Sequence, residues 1–163
     1  MLKAKITSRI FFLFIIFSFN IFKLCLAQPN GTIYFTDGKQ VKLMKMGMNG
    51  SYFYGNQRIN CFIMNDKGSI PIFSCEFVID YGKKTIPVKK IDHIKILKID
   101  RIDSTYSIKP IYKVEVALKN GKSFKSYMAI TYIFGKLSDG SRWTLKLENN
   151  RNLWSKLKKI SFK

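Results

Sequence analysis

Three dipeptides, Asp37-Gly38, Asn120-Gly121 and Asp139-Gly140, sit between short runs of Ile, Val, Phe and Tyr. They constrain the fold more than any other feature, because an Asx-Gly pair between apolar runs is a strong local signal for a β-hairpin. The two-residue type I′ turn it favours needs positive φ at both central positions. With Gly82, the pattern predicts four hairpins: TIYFTDGKQVKL, CEFVIDYGKKTIPV, VEVALKNGKSFKS and GKLSDGSRWTLKL. Apolar residues alternate beside the turns. Trp143, Leu145 and Leu147 fall on one face and Arg142, Thr144, Lys146 and Glu148 on the other, as a half-buried strand requires. Helical spacing occurs only at Leu153, Leu157 and Ile160, which predicts a short helical turn near the C-terminus before an edge strand. The expected fold is all-β: antiparallel hairpins or β-meander units forming one small sandwich or barrel-like domain.

The chain also echoes itself. An offset that places Gly82 on Gly121 also places Glu76 on Glu115, Phe77 on Val116, Ile79 on Leu118, Ile91 on Ile130 and Ile94 on Ile133. Two units, about 74–99 and 113–135, thus share one plan of strand, glycine turn, strand and Ile-x-x-Ile. The polar stretch DRIDSTYSIKP, 100–110, reads as the linker between them, with Asp100 and Asp103 as solvated carboxylates.

Residues 1–27 have a basic start at Lys3, Lys5 and Arg9, then the apolar run IFFLFIIFSFNIF, then Cys25 and Ala27 as small residues before Gln28. This is the layout of a cleaved secretory signal. The apolar run would span only about 20 Å as a helix, short of the ~30 Å hydrocarbon core. The expected product is a single β-rich domain, 28–163, in a periplasmic or extracellular compartment. Cys61 and Cys75 remain there, equidistant from Gly68, so a hairpin folded about that glycine would set them opposite each other for a disulfide.

Reaction chemistry finds little support. His93 is the sole histidine, and no metal-ligand spacing, nucleophile elbow or phosphate-binding glycine loop is present. In a regular strand Asp92 would point away from His93 and could not orient it. A non-enzymatic protein without cofactor or metal is expected.

Charge carries the remaining signal. The formal net charge is +19, with 29 basic and 10 acidic residues. The four basic residues of the leader take that to +15 on cleavage. Such an excess favours an anionic partner: a polymer, a glycan or a membrane surface. Lys83 and Lys89 are the expected outward pair beside Ile86 and Val88, with Lys42, Lys125 and Lys146 as further ligand-contacting candidates and Lys95 on a similar face. No specific nucleic-acid role is expected. The alternative is an assembly protein that joins protein partners through an exposed sheet edge.

Overall fold

The computed structural model describes residues 29–54, 57–63, 73–79 and 82–163. The predicted leader, the turn around Gly68 and the Asp80–Tyr81 connection lie outside the described residues. Eleven strands run β1 (Gly31–Phe35), β2 (Gln40–Tyr54), β3 (Gln57–Ile63), β4 (Phe73–Ile79), β5 (Gly82–Pro87), β6 (Ile91–Asp103), β7 (Lys109–Leu118), β8 (Ser123–Ala129), β9 (Tyr132–Lys136), β10 (Arg142–Lys146) and β11 (Leu157–Phe162). A one-turn helix, α1 (Arg151–Trp154), precedes β11. All strand pairings are antiparallel.

The three Asx-Gly pairs do form hairpin turns, but of a different type from the expected one. In each, a three-residue loop is closed by two backbone bonds: Phe35 N–H to Lys39 O and Gly38 N–H to Phe35 O at the first. Leu118–Lys122 and Leu137–Ser141 repeat the pattern. Only the glycine has positive φ, at 86°, 82° and 83°. This is a type I turn followed by a left-handed residue. The Asx side chain explains the choice. Asp37 Oδ1 accepts the Lys39 N–H at 3.0 Å, Asn120 Oδ1 that of Lys122 at 3.1 Å, and Asp139 Oδ1 that of Ser141 at 2.8 Å. Each carboxylate or amide thus satisfies a donor that the widened loop leaves over.

The sheet order is β5-β4-β3-β2-β1-β11-β6-β7-β8, with β9 on the other edge of β2 and β10 on β9. The fifteen-residue β2 belongs to two halves. Its first residues, Gln40–Leu43, pair with β1, while Met48–Tyr54 pair with β3. Between them the register slips at Met44–Gly47 and Lys45 takes φ 50°. Pro29 O and Asn30 Oδ1 accept the Met46 and Lys45 N–H groups freed by that bulge. One half is therefore β2-β1-β11-β6-β7-β8, the other β10-β9-β2-β3-β4-β5. A strand that changes sheets at a bulge is a usual corner of a two-layer β fold.

Both halves contribute to one core. Ile33, Met46, Met48, Phe77, Ile91, Ile94, Tyr112, Val114, Val116, Ile130, Ile133 and Ile160 are fully or almost fully buried in it. Phe77 meets Phe124 edge-on at 5.5 Å, and Ser126 Oγ donates to Val78 O at 2.7 Å, so β8 lies against β4 across the layers. A second, smaller cluster of Tyr52, Ile59, Val78, Ile111 and Ala129 fills the far side of β8. The paired hairpins of the internal echo, β4–β5 and β7–β8, thus meet in this packing. Two buried donors find backbone partners: Trp154 Nε1 donates to Leu147 O, and the Tyr112 hydroxyl, its pKa raised by burial, donates to Trp154 O.

Three local expectations are corrected. The stretch 100–110 is no linker, because β6 and β7 pair from Ile91 to Asp103 and make the longest hairpin. The C-terminal strand is no edge: β11 lies between β1 and β6. Lys89 is not a strand residue alternating with Val88, since the chain enters a 3₁₀ turn at Val88–Lys90, which exposes both Lys89 and Lys90.

Gly50 marks the tightest approach. A Cβ there would overlap the Ala129 carbonyl, where the β8–β9 junction is clasped by Thr131 N–H and hydroxyl bonds to Asn49 O. Gly121 has open space around it and only the positive φ to satisfy. Gly50→Ala is expected to cost about 3 kcal/mol in urea unfolding, from overpacking against backbone that cannot retreat. Gly121→Ala should cost about 1 kcal/mol, from the left-handed conformation alone. Equal losses would contradict the packing at β2.

Candidate anion-binding face

The half-sheet β2-β1-β11-β6-β7-β8 has one covered face, and its other face is open except at the β7–β8 end, where Ile111 and Ala129 are buried in the second cluster. Val41, Leu43, Ile33, Ile160, Ile94, Val114 and Val116 point into the core. Alternation then sends their neighbours outward. The register aligns these outward residues in rows. One runs Gln40, Tyr34, Lys159, Lys95, Glu115, Lys125 across the six strands; the next runs Lys42, Thr32, Ser161, His93, Ala117, Ser123. Lys113 stands one step along β7, across from both Lys98 and Tyr127. Lys42, Lys95, Lys113, Lys125 and Lys159 therefore share one face, roughly 24 Å wide at ordinary strand spacing.

Glu115 is the only acid in these rows, directly across from both Lys95 and Lys125 but beyond ion-pair distance of either. Among the described residues, no carboxylate lies within ion-pair distance of those five lysines. Lys159 Nζ instead sits 4.3 Å above the Tyr34 ring, a cation–π contact that holds the ammonium near the sheet. Two like-charge pairs oppose each other directly, Lys95 with Lys159 and Lys98 with Lys113. Direct opposition of like charges costs a few tenths of a kcal/mol or more per pair. Adjacent charges on this face lie within about one Debye length, ~10 Å at 0.1 M salt, so neighbouring lysines act on an approaching anion together.

The lysines singled out from the sequence are thus divided. Lys42 and Lys125 are exposed on this face, with Lys95 between them. Lys146 is on β10, over the Tyr132 ring at 5.8 Å, in the other half. Lys83 is on β5, ion-paired to Glu76 at 3.6 Å, and Lys89 is exposed in the 3₁₀ turn. Sequence reasoning missed Lys113 and Lys159. Lys113 alternates with Tyr112 and Val114, a signal that was available. Lys159 was hidden because Leu153, Leu157 and Ile160 read as helical.

His93 lies on the same face, and its Nδ1 is 2.7 Å from Asp92 Oδ2. The expectation that the two diverge fails because Asp92 is a bulge residue. Ile91 pairs with Leu118 and His93 with Ala117, which leaves Asp92 unmatched and turned toward the imidazole. Ser161 stands directly across from His93, but its hydroxyl donates to Thr32 O and is not directed at the ring.

A second polar cluster lies at the β6–β7 end. Asp103 and Lys109, both almost fully buried, form an ion pair at 3.5 Å across the last rung of the hairpin. This overturns the reading of Asp103 as a solvated carboxylate. Burial opposes its charge, yet bonds from the Thr105 N–H and hydroxyl, with Lys109, hold its carboxyl below the usual range. Nearby, Glu148 accepts from Ser107 and from the Tyr132 hydroxyl at 2.6 Å. Those bonds lower the Glu148 pKa and raise that of Tyr132. Asn149, at φ 56°, exchanges bonds with the backbone of Ile108. The cluster clasps the hairpin end to the β10–α1 connection.

Comparison of the chain with protein-family models, with curated proteins and with solved structures finds no match.

The Asp103 carboxyl makes the clasp sensitive to acid. A carboxyl whose folded pKa is depressed stabilises the fold above its unfolded pKa of about 3.9, and that contribution fades as the pH falls through the folded value. Asp103→Asn should cost about 3 kcal/mol at pH 7, because it strands a buried ammonium. Below about pH 4 the parent's stability should fall more steeply than the variant's. Parallel acid slopes in urea titrations would exclude this role.

Proposed function

We propose that the protein is exported and works as a binding protein, holding an anionic polymer, glycan or membrane surface on the lysine face of β2-β1-β11-β6-β7-β8. The gathering of Lys42, Lys95, Lys113, Lys125 and Lys159 on one face, with Glu115 the lone acid in their rows, carries this reading. Two unrelieved like-charge pairs would be relieved by an anion laid across them, so ligand and fold stabilise each other. A flat face with several separated ammonium groups suits a repeating polyanion or a charged surface better than one small anion. Long-range attraction from the mature chain, +15 once the four basic residues of the leader are removed, adds to capture.

Replacing Lys42, Lys95, Lys125 and Lys159 together by Gln should lower the salt needed for elution from heparin and weaken binding about tenfold or more at 0.1 M salt, an order-of-magnitude expectation for several screened contacts. Four replacements on the other half, at Lys83, Lys89, Lys136 and Lys146, remove the same charge and should shift elution much less. Equal shifts would mean that only total charge matters.

Export belongs to the same reading, with the leader removed near Ala27–Gln28. The register of β3 and β4 places Cys61 directly opposite Cys75, which supports the disulfide; the side chain of Cys61 lies outside the described residues. Intact mass before and after reduction should differ by two hydrogens, and alkylation of the unfolded, unreduced protein should label neither cysteine. Reduction should cost roughly 3 kcal/mol of stability. Full labelling without reduction would remove the disulfide from this account.

Assembly through a sheet edge has less support. The outer strands β5, β8 and β10 carry Lys83, Lys84, Lys125, Arg142 and Lys146, and β6 has bulges beyond Ile96 where its outer edge runs past β11. Charged side chains and bulges are the usual means by which edges avoid pairing.

A further inference from the structure

Five of the six exposed large apolar residues among those described fall within one short stretch: Leu97, Ile99, Ile102, Tyr106 and Ile108. Ile102 is 48% exposed and Tyr106 is 80% exposed. All five belong to the end of the β6–β7 hairpin, beyond the residues of β6 that pair with β11. Such concentration is uncommon on a protein surface and marks a contact site. The stretch is also two-sided. Ile99 and Ile102 share the face of Tyr112 and Pro110, whereas Lys98 and Arg101 share that of Lys113 and Ile111.

The end is rigid. Asp103–Lys109 closes its last rung, Thr105 is bonded to Asp103, and Asn149 fixes Ile108. The Arg101 guanidinium donates to Phe53 O at 3.4 Å, and the Tyr106 ring stands 6.3 Å from that of Phe53. The ends of β2 and of the β6–β7 hairpin therefore make one pole. It presents apolar and aromatic groups on a fixed frame, so little ordering is left to be done on contact.

We propose that this pole is a membrane-docking element, which enters the interface of an anionic bilayer through Ile99, Ile102 and Tyr106 while Lys98, Arg101 and Lys113 meet the headgroups. Charge complementarity selects this occupant. At this end of the hairpin the exposed cations Lys98 and Arg101, with half-buried Lys113, outnumber the one exposed acid, Asp100, and a second copy of so basic a chain would be repelled. Tyrosine and long basic side chains suit the headgroup level, where one end is wet and the other apolar. The inference deepens the anion-binding reading and rests on it, naming a bilayer as the surface.

The test is co-sedimentation with vesicles of phosphatidylcholine alone or with about one-third phosphatidylglycerol, alongside heparin retention. The protein should bind the anionic vesicles and only weakly the neutral ones. Ile102→Ser with Tyr106→Ser should weaken vesicle binding at least about tenfold, given the apolar area removed, and leave heparin elution unchanged. Lys98→Gln should weaken vesicle binding about fivefold. A Tyr106→Trp variant should shift its emission to the blue on anionic vesicles and be quenched by brominated lipid, with neither effect on heparin. Undiminished vesicle binding by the double serine variant, or an unquenched tryptophan, would overturn insertion. If heparin retention persisted in that case, the lysine face would stand without it. Failure to bind either heparin or anionic vesicles would overturn both readings. A parent dimer that the serine pair converts to monomer would make the pole an interface between copies.

Discussion

The bulge in β2 is the constraint on which the other features depend. At Met44–Gly47 the strand leaves the half that contains β1 and enters the half that contains β3. Lys45 accepts a left-handed backbone there, which an L side chain does at some cost. The cost is offset because Pro29 and Asn30 take up the freed N–H groups and because Met46 and Met48 become fully buried. Without that corner, Phe77 would not reach Phe124, and β1-β11-β6-β7 would have no covered face. The open lysine face is the reverse side of the same packing: Lys95 points out because Ile94 points in.

The legible parts of the fold were those decided within a few residues. Three Asx-Gly turns declared three hairpins, and the alternation of Trp143, Leu145 and Leu147 gave the inward face of β10 and its extension. The turn geometry was less legible, because the Asx carboxylate or amide competes for an N–H and tips the loop from two residues to three. Bulges defeated pattern reading wherever they occurred. Asp92 turns toward His93, and Lys158 is the extra residue that lets β11 carry Lys159 outward beside Tyr34. The candidate face itself depends on which strands are neighbours. Lys42, Lys125 and Lys159 are far apart in sequence and adjacent only through the order β2-β1-β11-β6-β7-β8. No local property of a lysine encodes that order.

Asp103 and Lys109 illustrate a different limit. A buried ion pair rarely adds net stability, since desolvation takes back most of the attraction. Its value here is positional. The pair closes the rung from which Thr105, Ser107 and Ile108 are held, and these in turn bond to Glu148 and Asn149. Apolar residues in the same places would pack the hairpin end but would not orient a polar turn. DRIDSTYSIKP reads as a solvated linker because its polar groups find partners both within the stretch and at Phe53, Glu148 and Asn149, contacts that exist only in three dimensions.

Two sets of exposed features run against stability. Lys95 opposite Lys159, Lys98 opposite Lys113, and five apolar side chains held in water each raise the free energy of the isolated fold. The same chain shows that it can avoid such arrangements. Lys83 faces Glu76, and Lys109 is matched to Asp103 and buried. The like-charge pairs Lys95–Lys159 and Lys98–Lys113 and the five uncovered apolar groups all involve the β6–β7 hairpin, although a further like-charge pair, Lys136–Arg142, lies between β9 and β10. A surface that is poor for the free protein on two independent counts, in one region, is one whose free energy falls when something both anionic and apolar arrives. A bilayer interface supplies headgroup charge and hydrocarbon within a few ångströms of each other, whereas a soluble polyanion supplies only the first.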